Sequence, residues 1–238
     1  DRLAAQSDQL GYVSGRLAAL AQIFAEKFLS IDTELAKAGD FLHSLVALLK
    51  QSDDQHILLI FQNQTEIRPA GGFIGSFGDM VINQGDLKEI KIDDIYNADR
   101  QLNLKFFPPH ELSGITPTWG ARDANWLFDF PTTAKKVASF LQESDLYKPK
   151  GITFQGAIAI NTNILQSLLE VTGPVTLDAY KMTITAQNFL PELQREVEAG
   201  QDKKPGQNPK RILSALAPLL MEKLHSLSAD QKSLLISK

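Results

Sequence analysis

The run His56-Ile57-Leu58-Leu59-Ile60-Phe61 decides the fold of this chain. Its apolar residues continue without alternation over the length of one strand, which is typical of a central strand buried on both faces. The polar stretch from Gln51 to Gln55 precedes it and separates it from the helical pattern before. We therefore expect an α/β core that begins close to residue 53.

The residues after this run predict a sheet covered by helices. Strand-like runs from Phe73 to Asn83 and from Leu87 to Ile95 flank Asn83-Gln84-Gly85-Asp86, which predicts a tight turn and an antiparallel hairpin. Residues 96–130 lack regular periodicity and are interpreted as a long ordered loop. Pro131 is typical of the first residue of a helix.

A strand, a helix and another strand then follow in quick succession. Ala157 to Ile160 is strand-like, Asn161 can cap a helix through about Val171, and Gly173 can end that helix before the strand-like Pro174 to Leu177. This alternation predicts a three-layer α/β/α domain with a mixed central sheet.

Helices are predicted before and after this core in the sequence. Leu3, Leu10, Leu17, Phe24 and Ile31 recur at intervals of seven, and a second stripe runs from Leu35 to Leu49. These residues predict an N-terminal helical hairpin that either packs on its own domain or acts as a stalk and a surface for self-association.

Three C-terminal helices are predicted after Thr185. They cover residues 186–198, residues 210–226 and a short segment capped by Ser228, and a polar linker from Gly200 to Pro209 interrupts them. The expected organisation is a helical hairpin or stalk over residues 1–52, an α/β core over 53–183 and a C-terminal helical segment over 184–238.

Composition and charge exclude several classes of function. The 238 residues contain no cysteine, so disulfides, thiolate metal sites and cysteine nucleophiles are excluded. The net charge is −4 and no basic run could follow a nucleic-acid backbone, so we expect no nucleic-acid partner. The four histidines have no metal-ligand spacing, which argues against zinc.

The first candidate site is the loop that leaves the buried strand, and it contains Gln62, Asn63, Glu66, Arg68, Gly71 and Gly72. Ligands of α/β sheets lie beyond the carboxyl ends of strands, where this loop begins. The two glycines permit positive φ or a close approach of the backbone to a ligand. The alternative is a structural loop whose polar groups bond one another.

The second candidate site extends from Trp119 to Pro131. Arg122 can bind a phosphate or carboxylate through two parallel hydrogen bonds, while Asp123 or Asp129 can hold a divalent cation or accept a proton. Asn125 and Trp126 complete this predicted ligand-binding set, and Arg100 is a candidate third basic group at the same face. The alternative is an Arg-Asp ion pair that only stabilises the loop.

Several strings resemble the bacterial domain-of-unknown-function family 4012. They are Phe61-Gln62-Asn63, Glu66 through Ser76, Arg122 through Pro131, and Leu168 through Val175. The resemblance covers about residues 56–200 and implies an extracytoplasmic region held by a transmembrane anchor. Because the chain starts at Asp1 rather than at a methionine, we expect it to be part of a longer protein, with the anchor elsewhere.

The order of elements is also similar to that of the LytR-CpsA-Psr phosphotransferases. This layout implies transfer of an envelope glycan from a polyprenyl-pyrophosphate carrier, with Arg68 and Arg122 as catalytic phosphate clamps and Asp123 as a base or Mg²⁺ ligand. The chain departs from that family at Gln62-Asn63, where an aspartate is expected. The alternatives to a carrier-binding protein are a non-catalytic surface scaffold and a carbohydrate-binding module that uses Trp119 and Trp126.

Overall fold

The computed structural model describes residues 33–199 and 211–237, which fall into two units, one ending at Gln51 and the other beginning at Ser52. In the first unit, helix α1 covers residues 33–49. Its apolar stripe is exposed at Leu35, Phe41, Leu42, Leu45 and Val46. The first arm of the predicted hairpin lies outside the described residues, and self-association through these helices stays a prediction.

The second unit is built on a four-stranded sheet with the order β3-β2-β1-β4. The strands are β1 (Gln55–Asn63), β2 (Phe73–Asn83), β3 (Asp86–Asp94) and β4 (Phe154–Asn161). Strand β1 pairs antiparallel with β2 and parallel with β4, so the sheet is mixed, as predicted. The buried central strand is confirmed, because Leu58 and Ile60 are inaccessible and the alternate residues Ile57 and Leu59 are also buried.

The predicted hairpin is formed by β2 and β3, and a two-residue turn joins them. Gln84 has a φ of 50° and Gly85 a φ of 83°. Positive φ at both central residues is the property of a type I′ turn, whose twist matches that of the strands on either side.

Helices cover both sides of the sheet, which confirms the α/β/α class. They are α2 (Ile95–Arg100), α3 (Phe130–Glu143), α4 (Thr162–Thr172), α5 (Phe189–Ala199), α6 (Arg211–His225) and α7 (Ala229–Ile236). One core joins β1 and β2 to α2 and α3 through Phe77, Val137 and Phe140, among others. A second core joins α4, α5 and α6 to a small sheet of β5 (Val175–Leu177) and β6 (Met182–Ile184). The sequence did not predict that separate sheet.

Local capping explains where several helices begin. The Asp129 side chain accepts a hydrogen bond from the Thr132 amide at the start of α3, and Asn161 does the same for Ile164 in α4. Helix α5 begins three residues later than predicted because Thr185 and Asn188 bond each other's amides ahead of it. Helix α7 starts with the predicted cap at Ser228.

Residues 96–130, predicted to form a long ordered loop, contain several short helices. Asp94 accepts a hydrogen bond from the Tyr96 amide and so starts α2 directly after β3. Short 3-10 helices follow at His110–Leu112 and Ala121–Trp126. The predicted linker from Gly200 to Pro209 lies outside the described residues. In the described part of the chain, no helix has both the length and the apolar character needed to cross a bilayer.

Candidate functional site

The candidate site lies where the parallel strands β1 and β4 end side by side. Gln62 in β1 is paired with Asn161 in β4, and the chain leaves the sheet directly after each strand. In open α/β sheets this edge is the usual position of a ligand. The first candidate loop begins here, as expected from the sequence.

An open cleft of about 290 Å³ occupies this edge. Its apolar wall is formed by Phe61, Phe73, Ile160, Leu165, Phe189, Leu190, Leu193 and Leu213. Its polar side is formed by Gln62, Asn63, Glu66, Ser76, Asn161 and Gln194. Such a combination of apolar and polar lining suits a ligand that has an apolar part and a polar end.

The two candidate loops are joined directly. The amide of Ala70 donates a hydrogen bond to the carbonyl of Asn125 at 3.2 Å, and the Asn125 side-chain Nδ2 donates to the carbonyl of Gly72. The side chain of Gln62 in turn donates to the carbonyl of Ala70 at 2.8 Å. Since Asn125 is fully buried, its side chain holds the loops together rather than facing a ligand in solvent.

Gly72 and Gly71 are required by the geometry of this junction. Gly72 has a φ of 137°, and a Cβ there would lie 2.4 Å from the carbonyl oxygen of Asn63. Gly71 has a φ of 107°, and a Cβ there would meet the Gln62 side chain at 2.9 Å. The sequence predicted that these glycines allow the backbone to approach a ligand closely. In the structure, the groups that approach it are the protein's own backbone and side chains.

Two aromatic rings link the two arginines. The guanidinium carbon of Arg68 lies 5.3 Å from the ring centre of Phe73, and that of Arg122 lies 5.3 Å from the ring centre of Tyr96. The rings of Phe73 and Tyr96 are 6.3 Å apart. We call Arg68, Phe73, Tyr96 and Arg122 the arginine–aromatic row. Because Phe73 also lines the cleft, the Arg68 end of the row adjoins the cleft.

Arg122 is paired with carboxylates. Its Nε lies 3.0 Å from Oδ2 of Asp123 and 3.8 Å from Oδ2 of Asp99, and its Nη2 donates to Thr116 Oγ1 at 3.4 Å. Arg68, in contrast, donates to the carbonyl of Ile67 at 2.9 Å and makes no ion pair with any carboxylate that the structure describes. A guanidinium group has five N–H donors, so most of those on Arg68 stay available for an anion.

Asp99 joins α2 to the second candidate loop. Its Oδ1 accepts a hydrogen bond from the Ala121 amide at 2.7 Å. Gly120 permits this contact, since a Cβ there would lie 2.5 Å from the same oxygen. Burial raises the pKa of Asp99 above its usual value, although the Ala121 amide and Arg122 oppose that effect.

The raised pKa of Asp99 predicts a measurable dependence of stability on pH. Below the unfolded-state pKa of about 3.9 the carboxyl group is protonated in both states, and burial then carries no charge penalty. As the pH rises through the higher folded-state pKa, the folded protein must bury the charge and loses that advantage. We expect Asp99→Asn to gain stability relative to the wild type as the pH rises from about 3 to 7.

Urea unfolding of both proteins at several pH values measures this difference. Asp86→Asn, at an exposed position of the hairpin, controls for the general effect of removing one charge. A stability difference between wild type and Asp99→Asn that stays constant with pH would contradict the prediction.

The carboxylates predicted to bind magnesium have separate structural roles. Asp123 is paired with Arg122, and Asp129 caps α3 through hydrogen bonds from Thr132, which lower the pKa of Asp129. Residues 33–199 and 211–237 contain no group of three or more His, Asp or Glu that could hold a metal ion. The magnesium site at Asp123 and Asp129 stays a prediction.

The remaining predicted site residues have different environments. Arg100 is exposed in the last turn of α2, and Trp126 is half-buried. Trp119 packs edge-on against Phe140, with ring centres 5.4 Å apart, and the Lys136 ammonium lies 4.5 Å from its ring centre. The Trp119 ring thus holds its loop against α3, and carbohydrate binding on Trp119 and Trp126 stays a prediction.

Sequence reasoning missed the wall of the cleft on α5 and the contribution of Asn161, Tyr96 and Asp99. Asn161 was interpreted only as a helix cap, although it also ends a strand parallel to β1. That position was a usable signal, because neighbouring parallel strands end at the same edge of a sheet. The residues of α5 gave no such signal, since only tertiary packing brings Phe189, Leu190 and Leu193 to this edge.

The fold and the site define an α/β/α domain with an open apolar cleft at the carboxyl edge of a mixed sheet. The chain belongs to the family described as "Protein of unknown function (DUF4012)", which matches residues 52–197. This match confirms the first resemblance; the likeness to LytR-CpsA-Psr phosphotransferases stays a prediction.

Comparison with solved structures finds an X-ray structure of the Lin1025 protein from Listeria innocua. It is 12% identical, with a TM-score of 0.37, and the match covers 76% of this chain and 69% of that chain. A TM-score this low does not establish a shared fold. No curated protein matches the chain.

Proposed function

We propose that this domain binds a lipid-linked phosphate or pyrophosphate, such as a polyprenyl-pyrophosphate carrier of an envelope glycan, on the outer side of a membrane. The observation that carries the proposal is the double role of Phe73. Phe73 lines the cleft, and its ring lies under the Arg68 guanidinium, at 5.3 Å. An apolar chain and an anionic group joined to it would therefore find their partners side by side.

The two arginines contribute differently to this binding. Arg68 has most of its donors available, so it is the group that we expect to bind the phosphate oxygens. The charge of Arg122 is largely balanced by Asp99 and Asp123, so Arg122 fixes the far end of the arginine–aromatic row. The proposal covers binding alone, because the carboxylate that a transfer step would use, Asp123, is occupied by Arg122.

Replacing Arg68 by alanine is expected to weaken binding of a short isoprenyl pyrophosphate. A charge-assisted hydrogen bond contributes about 1.5–3 kcal/mol, which corresponds to a loss of affinity of roughly 10- to 100-fold. Isothermal titration calorimetry with farnesyl diphosphate measures this loss. Farnesol, which has no phosphate, and inorganic pyrophosphate, which has no apolar chain, should each bind more weakly than farnesyl diphosphate.

Lys88→Ala is the matched control for this experiment. It removes one positive charge from β3 close to the hairpin turn, at the opposite end of the sheet from the cleft. It should bind farnesyl diphosphate as the wild type does. The proposal fails if the wild type does not bind this compound, or if Arg68→Ala binds it with unchanged affinity.

A further inference from the structure

Strand β4 forms one edge of the four-stranded sheet, and β1 is its only partner among the strands that the structure describes. The pairing with β1 is regular from Gly156 to Asn161, after an irregularity at Gln155. Within residues 33–199 and 211–237, the backbone groups on the outer side of this regular part make no hydrogen bond. An edge of this kind is a template for pairing with another strand.

The residues of β4 do not block such pairing. Proteins usually protect an exposed edge with charged residues, proline, a bulge or a covering helix. The eight residues of β4 include no charged residue and no proline. Its one irregularity lies at Gln155, ahead of the regular part, so that part of the edge stays suited to a new strand.

The opposite edge of the same sheet, strand β3, is protected in the ways that β4 is not. Six of the nine residues from Asp86 to Asp94 are charged. In addition, the Ser214 hydroxyl on α6 donates a hydrogen bond to the carbonyl of Ile92 at 3.2 Å, so a helix lies against this strand. The contrast between the two edges indicates that the edge at β4 is the one that accepts a partner.

The regular part of β4 is complementary to a second, antiparallel copy of itself. A two-fold axis beside Ile158, perpendicular to the sheet, places this residue opposite its own copy. On the same face, Gly156 then lies opposite Ile160 of the second copy, so a missing side chain faces a large one. On the other face, Ala157 lies opposite Ala159. Every one of these cross-strand pairs is apolar, and no like charges meet.

We infer that two copies of this chain pair through β4, antiparallel and about a two-fold axis at Ile158, and so join two four-stranded sheets into one. Ile158 makes the central contact, and 48% of its surface is exposed in the single chain. One pair of strands is smaller than a standard interface of about 1,600 Å², so we expect a dimer that forms at roughly micromolar concentrations. The pairing does not depend on the proposed ligand or on the predicted stripe in the N-terminal helices.

Sedimentation equilibrium of the full chain at roughly 10–500 µM tests this pairing. The wild type should be dimeric at the upper concentrations. Ile158→Lys should weaken the dimer by at least about 30-fold, because it removes the central apolar contact and sets two positive charges opposite each other. Ile158→Val, which removes one methylene group per chain, is the matched control and should stay within about fivefold of the wild type. A wild type that is monomeric throughout would overturn the inference, as would a dimer that Ile158→Lys leaves unchanged.

Cysteine cross-linking tests the position of the two-fold axis. The chain contains no cysteine, so Ile158→Cys introduces a single thiol. Opposite Cα atoms of antiparallel strands are about 4.5–5.5 Å apart, within the range of a disulfide, so mild oxidation should give a covalent dimer. Lys88→Cys on β3 is the control, because the Lys88 side chain is 51% exposed, and it should cross-link at least about tenfold more slowly. Equal rates for the two variants would show random collision and overturn the axis at Ile158.

Discussion

Replacing Gly72 by alanine is expected to destabilise the domain by about 3 kcal/mol or more, a large part of the stability of a typical domain. Two effects add in the same direction. Alanine is strained at a φ of 137°, and its Cβ would lie 2.4 Å from the backbone carbonyl oxygen of Asn63, which cannot rotate away as a flexible side chain would. Any backbone shift that relieves this clash displaces the Gly72 carbonyl from Asn125.

Urea unfolding followed by circular dichroism measures the loss, and Gly114→Ala is its control. Gly114 is exposed, and a Cβ at that position would meet nothing within 4 Å. Its replacement should therefore change the free energy of unfolding by less than about 0.5 kcal/mol. Equal unfolding midpoints for the two variants would show that the junction between the loops tolerates a side chain at Gly72.

The sheet was predictable because its signals are local. The uninterrupted apolar run in β1 has the length of one strand, and the polar turn of the hairpin contains the glycine that a type I′ turn favours. The caps at Asn161 and Ser228 likewise depend on groups three residues away. Patterns that involve only residues close together in the chain can be recognised in a single sequence.

The site was predictable only in part because its decisive contacts are distant in sequence. Both candidate loops were recognised from their composition, and they do meet. That Arg122 is paired with Asp99 could not be foreseen, because the two residues are 23 positions apart and their approach depends on the missing side chain of Gly120. Only the folded chain therefore distinguishes Arg68, which has available donors, from Arg122, which has partners.

Replacing Leu193 by aspartate is expected to reduce binding of farnesyl diphosphate by at least about 100-fold. Leu193 is part of the apolar wall that α5 contributes to the cleft. A carboxylate there replaces apolar contact area with a charge, and the bound chain would have to desolvate that charge. The same carboxylate would repel the pyrophosphate that we expect at Arg68.

Leu219→Asp separates a blocked cleft from a damaged core. Like Leu193, Leu219 is half-buried and packs on the second core, but it does not line the cleft. Both substitutions place a charge against that core, so both should lower the unfolding midpoint, whereas only Leu193→Asp should lose the ligand. If folded Leu219→Asp lost binding to the same degree, the loss would come from weakened packing of α5 and α6, and the apolar wall would have no direct role in binding. If folded Leu193→Asp kept its affinity, the apolar chain would lie elsewhere, and the contact between Phe73 and Arg68 could no longer explain how one ligand reaches both.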